Sequence, residues 1–193
     1  MTIFYNSALK NAMVICLNNL KPNRVENYDN YTLIFNENNL VGINIFHVDK
    51  KLNHLENGMI YPTNEILSFI QKETNIDLSS DVKPTFVVAE IIECEDVENT
   101  HLHKCQVNVG NEILQIVCGA ANARVGLKTV CAKVGSVMPS GTYINDGELM
   151  SIPSHGMLCS AKELKLESNK PGIIELDETY QVGENFKPIF SNL

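Results

Sequence analysis

The chain has 193 residues, enough for one large or two small domains, and an ordinary hydrophobic fraction of 44%. Its formal net charge of −8 divides as −3 over residues 1–82 and −5 over residues 83–193. That excludes a protein that gathers nucleic acid by bulk positive charge, so any RNA contact must rest on a local patch or on shape. No apolar run reaches the roughly 20 residues that span a bilayer, and the first residues read as no signal peptide. The six cysteines form no C-x-x-C pair. The expectation is a cytoplasmic chain with reduced thiols, no membrane segment, no zinc, no other cofactor and no small-molecule substrate.

In chain order, residues 2–5 and 13–17 read as short strands. Residues 31–35 and 40–48 follow as two more, joined by Asn36-Glu37-Asn38-Asn39, a tetrapeptide suited to a tight hairpin because asparagine tolerates the left-handed conformation. After Pro62 a short helix is expected, with Ile66, Phe69 and Ile70 on one face and Thr63 or Asn64 as its cap. Residues 1–80 therefore form a small α+β domain of unassigned role. The polar stretch DLSSDVKP, residues 77–84, marks a domain boundary.

Beyond it the pattern turns all-β, over a second domain at 84–193. Residues 86–94 are a long β-branched run. Cys105, Val107 and Val109 alternate with Gln106 and Asn108, and Gly110-Asn111 makes a two-residue turn before the return over 113–118. Residues 129–134 and 144–152 supply further strands, residues 160–166 a short helix, and residues 173–176 a late strand beside the barrel. Short strands at this spacing argue for a closed barrel.

The most specific strings lie between residues 102 and 166. Cys105-Gln106-Val107 opens a strand; residues 115–122 read QIVCGAAN; Ala132 and Gly135 frame an Ala-x-x-Gly; residues 156–164 read GMLCSAKEL. Together they resemble the tRNA-binding OB-fold module of bacterial phenylalanyl-tRNA synthetase beta subunits, methionyl-tRNA synthetase appendages and EMAP-II-type domains. The layout of a small domain followed by this module resembles stand-alone bacterial YtpR-type proteins. The resemblance implies an all-β OB-fold barrel with a short helix, a non-enzymatic role, tRNA as the partner, and pairing into a homodimer.

It also marks candidate RNA-binding residues. Asn122 matches the family's own asparagine; by itself it either reads a base edge or a ribose hydroxyl, or shapes a turn. Ser154, Gly156 and Met157 match a Ser-x-Gly-Met element, in which a hydroxyl and a soft apolar side chain hold a splayed base, or the glycine turns and the methionine fills the core. Lys133 and Lys162 are candidates for phosphate, with Lys104, Lys128 and Arg124 behind them. Two departures weaken the expected affinity. The family's His-Pro-x-Ala-Asp-x-Leu is reduced here to Leu102. Its Leu-Arg-Gly is Leu149-Met150-Ser151, which lacks the arginine that would clamp phosphate. With Glu93, Glu95, Asp96 and Glu98 nearby, the alternative is a protein-interaction module that keeps the barrel but has lost RNA affinity.

Two further groupings bear on an enzymatic or metal reading. His155 and Cys159, four apart, would share one helical turn as base and nucleophile, with no third residue evident to orient the imidazole. His101, His103 and Cys105 would share one face of a strand, too few for a closed metal shell.

Overall fold

The computed structural model describes residues 1–168 and 170–192, in two compact units. The first unit contains Met1–Lys83 and the segment from Lys187 on; the second is Pro84–Phe186.

In the first unit, β1 (Thr2–Asn6), β2 (Ala12–Cys16), β3 (Arg24–Asn27), β4 (Tyr31–Asn36), β5 (Asn39–Ile45) and β6 (Gly58–Ile60) form one antiparallel sheet in the order β3-β4-β5-β2-β1-β6. Period-2 alternation puts Ile3, Tyr5, Met13, Ile15, Ile43 and Ile45 on one face. That face is buried against Ile66, Phe69 and Ile70 of α1 (Asn64–Thr74). The Thr63 hydroxyl caps the helix by accepting the Ile66 N–H, and Asn75, at φ 61°, closes it in the left-handed conformation. In the β4–β5 hairpin the left-handed residue is Glu37 (φ 53°), not an asparagine. Its N–H donates to Asn23 Oδ1 at 2.8 Å and its carbonyl accepts from the Arg24 guanidinium at 3.1 Å, so the unexpected edge strand β3 holds the turn. The expected second domain ran to residue 193. Leu193 lies outside the described residues, and the tail before it packs on the first unit: Phe190 bridges Met59, and the Asn192 amide bonds both the N–H and the carbonyl of Tyr61.

The second unit contains β7 (Phe86–Asp96), β8 (His103–Asn108), β9 (Ile113–Cys118), β10 (Lys128–Lys133), β11 (Gly147–Leu149), β12 (Ile152–Ser154) and β13 (Gly156–Leu158). Five of these form a sheet in the order β13-β10-β7-β8-β9, and β11 and β12 make a separate ribbon. The long β7 shifts register between Ile91 and Glu93; its first half pairs with β10 and its second with β8, which bends the sheet round. The barrel nearly closes where the His155 N–H donates to Gln115 O at 2.8 Å and the Val117 N–H to Ser154 Oγ at 3.1 Å. Inside lie Val87, Ala89, Ile91, Val107, Ile116 and Leu158.

Three expectations for this unit are corrected. Residues 160–166 are not a helix but a single turn. The Ser160 N–H and hydroxyl both donate to the Glu163 carboxylate, the Glu163 N–H donates back to Ser160 Oγ, and the Leu166 N–H reaches Ala161 O at 2.9 Å with Lys165 left-handed at φ 56°. An N-terminal capping box and a C-terminal Schellman closure thus overlap on seven residues and leave no helix interior. Residues 173–176 are not a strand. Their N–H groups still reach the barrel, from Ile174 to Cys159 O and from Leu176 to Lys128 O, both at 2.9 Å. The run expected over 144–152 shrinks to β11 and the start of β12.

Gly110 (φ 96°) and Gly183 (φ 91°) cross backbone to backbone. A Cβ on Gly110 would stand 2.6 Å from Gly183 Cα. Neither main chain can swing aside as a side chain would. Gly110→Ala is therefore expected to destabilise the second unit by about 2–4 kcal/mol, combining overpacking with left-handed strain. Urea unfolding measures it; a cost under about 0.5 kcal/mol would show that the crossing yields easily.

Candidate nucleic-acid interface

Electrostatics separates the expected cations into two groups. Lys133 ends β10 with its Nζ 2.6 Å from Glu112 and its side chain 22% exposed. Lys128 sits 2.6 Å from Glu178, Lys104 2.8 Å from Glu95, and Arg124 3.0 Å from Glu175. Each already holds a carboxylate that a phosphate would have to displace. Lys162 and Lys165 are exposed on the 160–166 turn and have no side-chain partner among the described residues. Lys170, also exposed, is close enough to Glu175 to lower its pKa. The lysines of this unit that form no ion pair among the described residues, Lys162, Lys165 and Lys170, therefore gather on one short segment, which they share with Glu163 and Glu167.

Asn122 is engaged within the protein. Its amide donates to Ile173 O at 2.9 Å and accepts the Ile173 N–H at 3.0 Å, and it also donates to Glu175 Oε1 at 3.1 Å. Arg124 grips the same carboxylate at two oxygens, both at 3.0 Å. These bonds from Arg124, then from Asn122, hold the Glu175 carboxyl at about 2, well below its ordinary 4.5. The four residues form a clasp that fixes the 172–175 segment on the barrel.

That segment forms one wall of a cleft of about 330 Å³, lined among others by Gly119, Ala120, Met157, Ser160, Gly172 and Ile173. Met157, half-buried on β13, contributes its soft side chain there. Lys162 rises from the turn whose residues Ser160 and Glu163 border the same cleft. The structure thus brings Met157, Lys162 and, through the clasp, Asn122 to one place. Ser154 closes the barrel through its hydroxyl, and Lys133 pairs in register with Gly156. Sequence reasoning missed Lys165 and Lys170, whose only signal was their recurrence in one polar segment.

The thiol and metal readings meet other surroundings. Cys159 is fully buried, and burial pushes its thiol far above the ordinary range. His155 does have an orienting partner, Asp146 Oδ1 at 2.5 Å. But β13 lies between His155 and Cys159, so the stretch is extended rather than helical; four residues of strand cover roughly 13 Å. His101 precedes β8 rather than lying on it, and His103 bonds Asp96 at 2.9 Å. Among the described residues no group of three or more His, Cys, Asp or Glu is placed to hold a metal. No helix is long and apolar enough to cross a membrane among them.

Residues 86–185 match the family described as "Putative tRNA binding domain". The chain is 39% identical over 202 residues to the "Putative tRNA-binding protein YtpR" of Bacillus subtilis, covering 97% of this chain and 100% of that one. It is also 39% identical over 203 residues to the "Uncharacterized protein MG449" of Mycoplasma genitalium, covering 99% and 89%. To the phenylalanine–tRNA ligase beta subunit of Ehrlichia canis it is 44% identical over 119 residues, which cover 59% of this chain and 15% of the ligase subunit.

Proposed function

The chain belongs to the tRNA-binding domain family, and we propose that it is a non-catalytic protein that binds folded tRNA by shape and backbone. The observation that carries this reading is the family match over residues 86–185. We read the nearly closed barrel of Pro84–Phe186 as an OB fold and as the RNA-binding module. The acting surface is the 160–170 segment with the adjoining cleft: Lys162, Lys165 and Lys170 meet phosphates, Met157 offers an apolar surface to an unstacked base, and Asn122 holds the wall. Lys133 and Ser154 stand at the margin, the first available only when Glu112 lets go. The protein acts in the cytoplasm and pairs as a homodimer, a state that sedimentation mass tests.

Competition tests the function. Folded tRNA should displace a bound tRNA far better than an unstructured RNA of equal length does, because an ordered barrel reads shape and spacing. Equal competition would reduce the interaction to general polyanion binding.

The four neutralised cations favour a second reading, a protein-interaction module without RNA affinity. One substitution separates the two. In the tRNA-binding reading, Glu112→Gln removes a negative charge and frees Lys133, so tRNA affinity should rise about three- to tenfold at low salt. In the interaction reading it changes nothing that RNA titration detects.

A further inference from the structure

We propose that Cys94 and Cys105 are a redox modification site, closing reversibly into a disulfide across β7 and β8. The two residues face each other in register on neighbouring antiparallel strands, and their Sγ atoms stand 3.7 Å apart. The Val97 N–H donates to Leu102 O at 2.9 Å, which puts 97/102 in the phase of a hydrogen-bonded pair, although the Leu102 N–H itself turns to Thr100 Oγ1. Alternation along the ladder then makes 95/104 another and 94/105 a non-hydrogen-bonded pair. Such pairs bring Cα atoms to about 4.5 Å, inside the span of about 4.4–6.8 Å that a disulfide bridges. The strands need not move apart or slip.

The two thiols differ in access, which orders the chemistry. Cys94 is half-buried, on the outer half of β7 beyond the register shift; Cys105 is fully buried. Burial first, and the neighbouring Cys94 second, keep the Cys105 thiol protonated. Cys94 therefore reacts first. With a peroxide as oxidant, its sulfur attacks the O–O bond and becomes a sulfenic acid, and the other oxygen leaves as water or alcohol. Cys105 then attacks the sulfenic sulfur; the S–S bond forms, the S–O bond breaks and water leaves with the Cys105 proton. Two thiols lose two electrons and the peroxide gains them. A dithiol reverses the step.

The remaining cysteines make poorer partners. Cys118 lies opposite His103, diagonal to Cys105 and buried. Cys131 and Cys159 are fully buried, and desolvation pushes the Cys131 thiol up to about 12. Cys16 lies in the other unit.

The test treats the full chain with hydrogen peroxide or with diamide, then counts native thiols and maps non-reduced peptides. The expected result is a fall from six free thiols to four, a peptide joining Cys94 to Cys105, and full recovery with dithiothreitol. Cys94→Ser should lose no thiol pair under the same treatment, and Cys118→Ser should still lose one. Should Cys94→Ser fold poorly, the peptide map of the unsubstituted chain decides alone. All six thiols surviving, a bridge through Cys118, or only bridges between chains would overturn the proposal.

Discussion

Exchanging Lys162 and Lys165 together for glutamine is expected to weaken tRNA binding by about tenfold or more at about 50 mM salt. Each phosphate contact contributes roughly 0.7–0.9 to the slope of log affinity against log salt, so losing both should flatten it by about 1.4–1.8. The loss should be alike for all tRNAs, because phosphate contacts carry no sequence information. Both side chains are exposed and have no partner among the described residues, so stability should move by less than about 0.5 kcal/mol. The same exchange at Lys104, whose ammonium is 2.8 Å from Glu95, should alter the slope much less. If Lys104 mattered more than the pair, the acting surface would lie on β8 and the 160–170 assignment would fail.

Asn122→Ala should act in a different way. It strips partners from both the N–H and the carbonyl of Ile173, a residue only 5% exposed. Unsatisfied backbone groups near a core cost about 1–3 kcal/mol each, so the second unit should lose about 2–4 kcal/mol in urea unfolding. tRNA affinity should fall with it while the salt slope stays put, since the residue is uncharged. The Glu175 carboxyl should also rise from about 2 part of the way toward 4.5, because Arg124 remains its larger support. A depressed carboxyl contributes stability above its ordinary pKa and loses it as pH falls toward its folded value. In the unsubstituted protein the clasp therefore weakens between about pH 4.5 and 2, and in the variant that window narrows from its acid end. A variant that unfolds like its parent yet has lost tRNA would make Asn122 a direct RNA contact.

Much of the barrel is legible along the chain because its signals are local. Cys105, Val107 and Val109 alternate with polar neighbours, and a glycine follows where a turn needs φ of 96°. Edge strand β3 carries no such signal: Arg24, Val25 and Asn27 are exposed, so no face repeats. The 160–166 turn misleads because each of its ends bears a sound helix-terminating motif and only their overlap excludes the helix. The site is less legible because its partners are distant. Asn122 meets Ile173 from 51 positions away, Lys128 meets Glu178 from 50, and Lys133 meets Glu112 from 21. Net charge gives no hint of which cations these carboxylates consume and which they leave free.

On this reading the acidic chain binds tRNA through a few free cations on a shaped surface. Titration of the full chain with folded tRNA across about 50–200 mM salt tests it most directly. Binding that is detectable at the low end, with a slope of roughly −1.5 to −3.5 for two to four phosphates, is the predicted result. No binding at about 50 mM salt would contradict it and leave the interaction-module reading in its place.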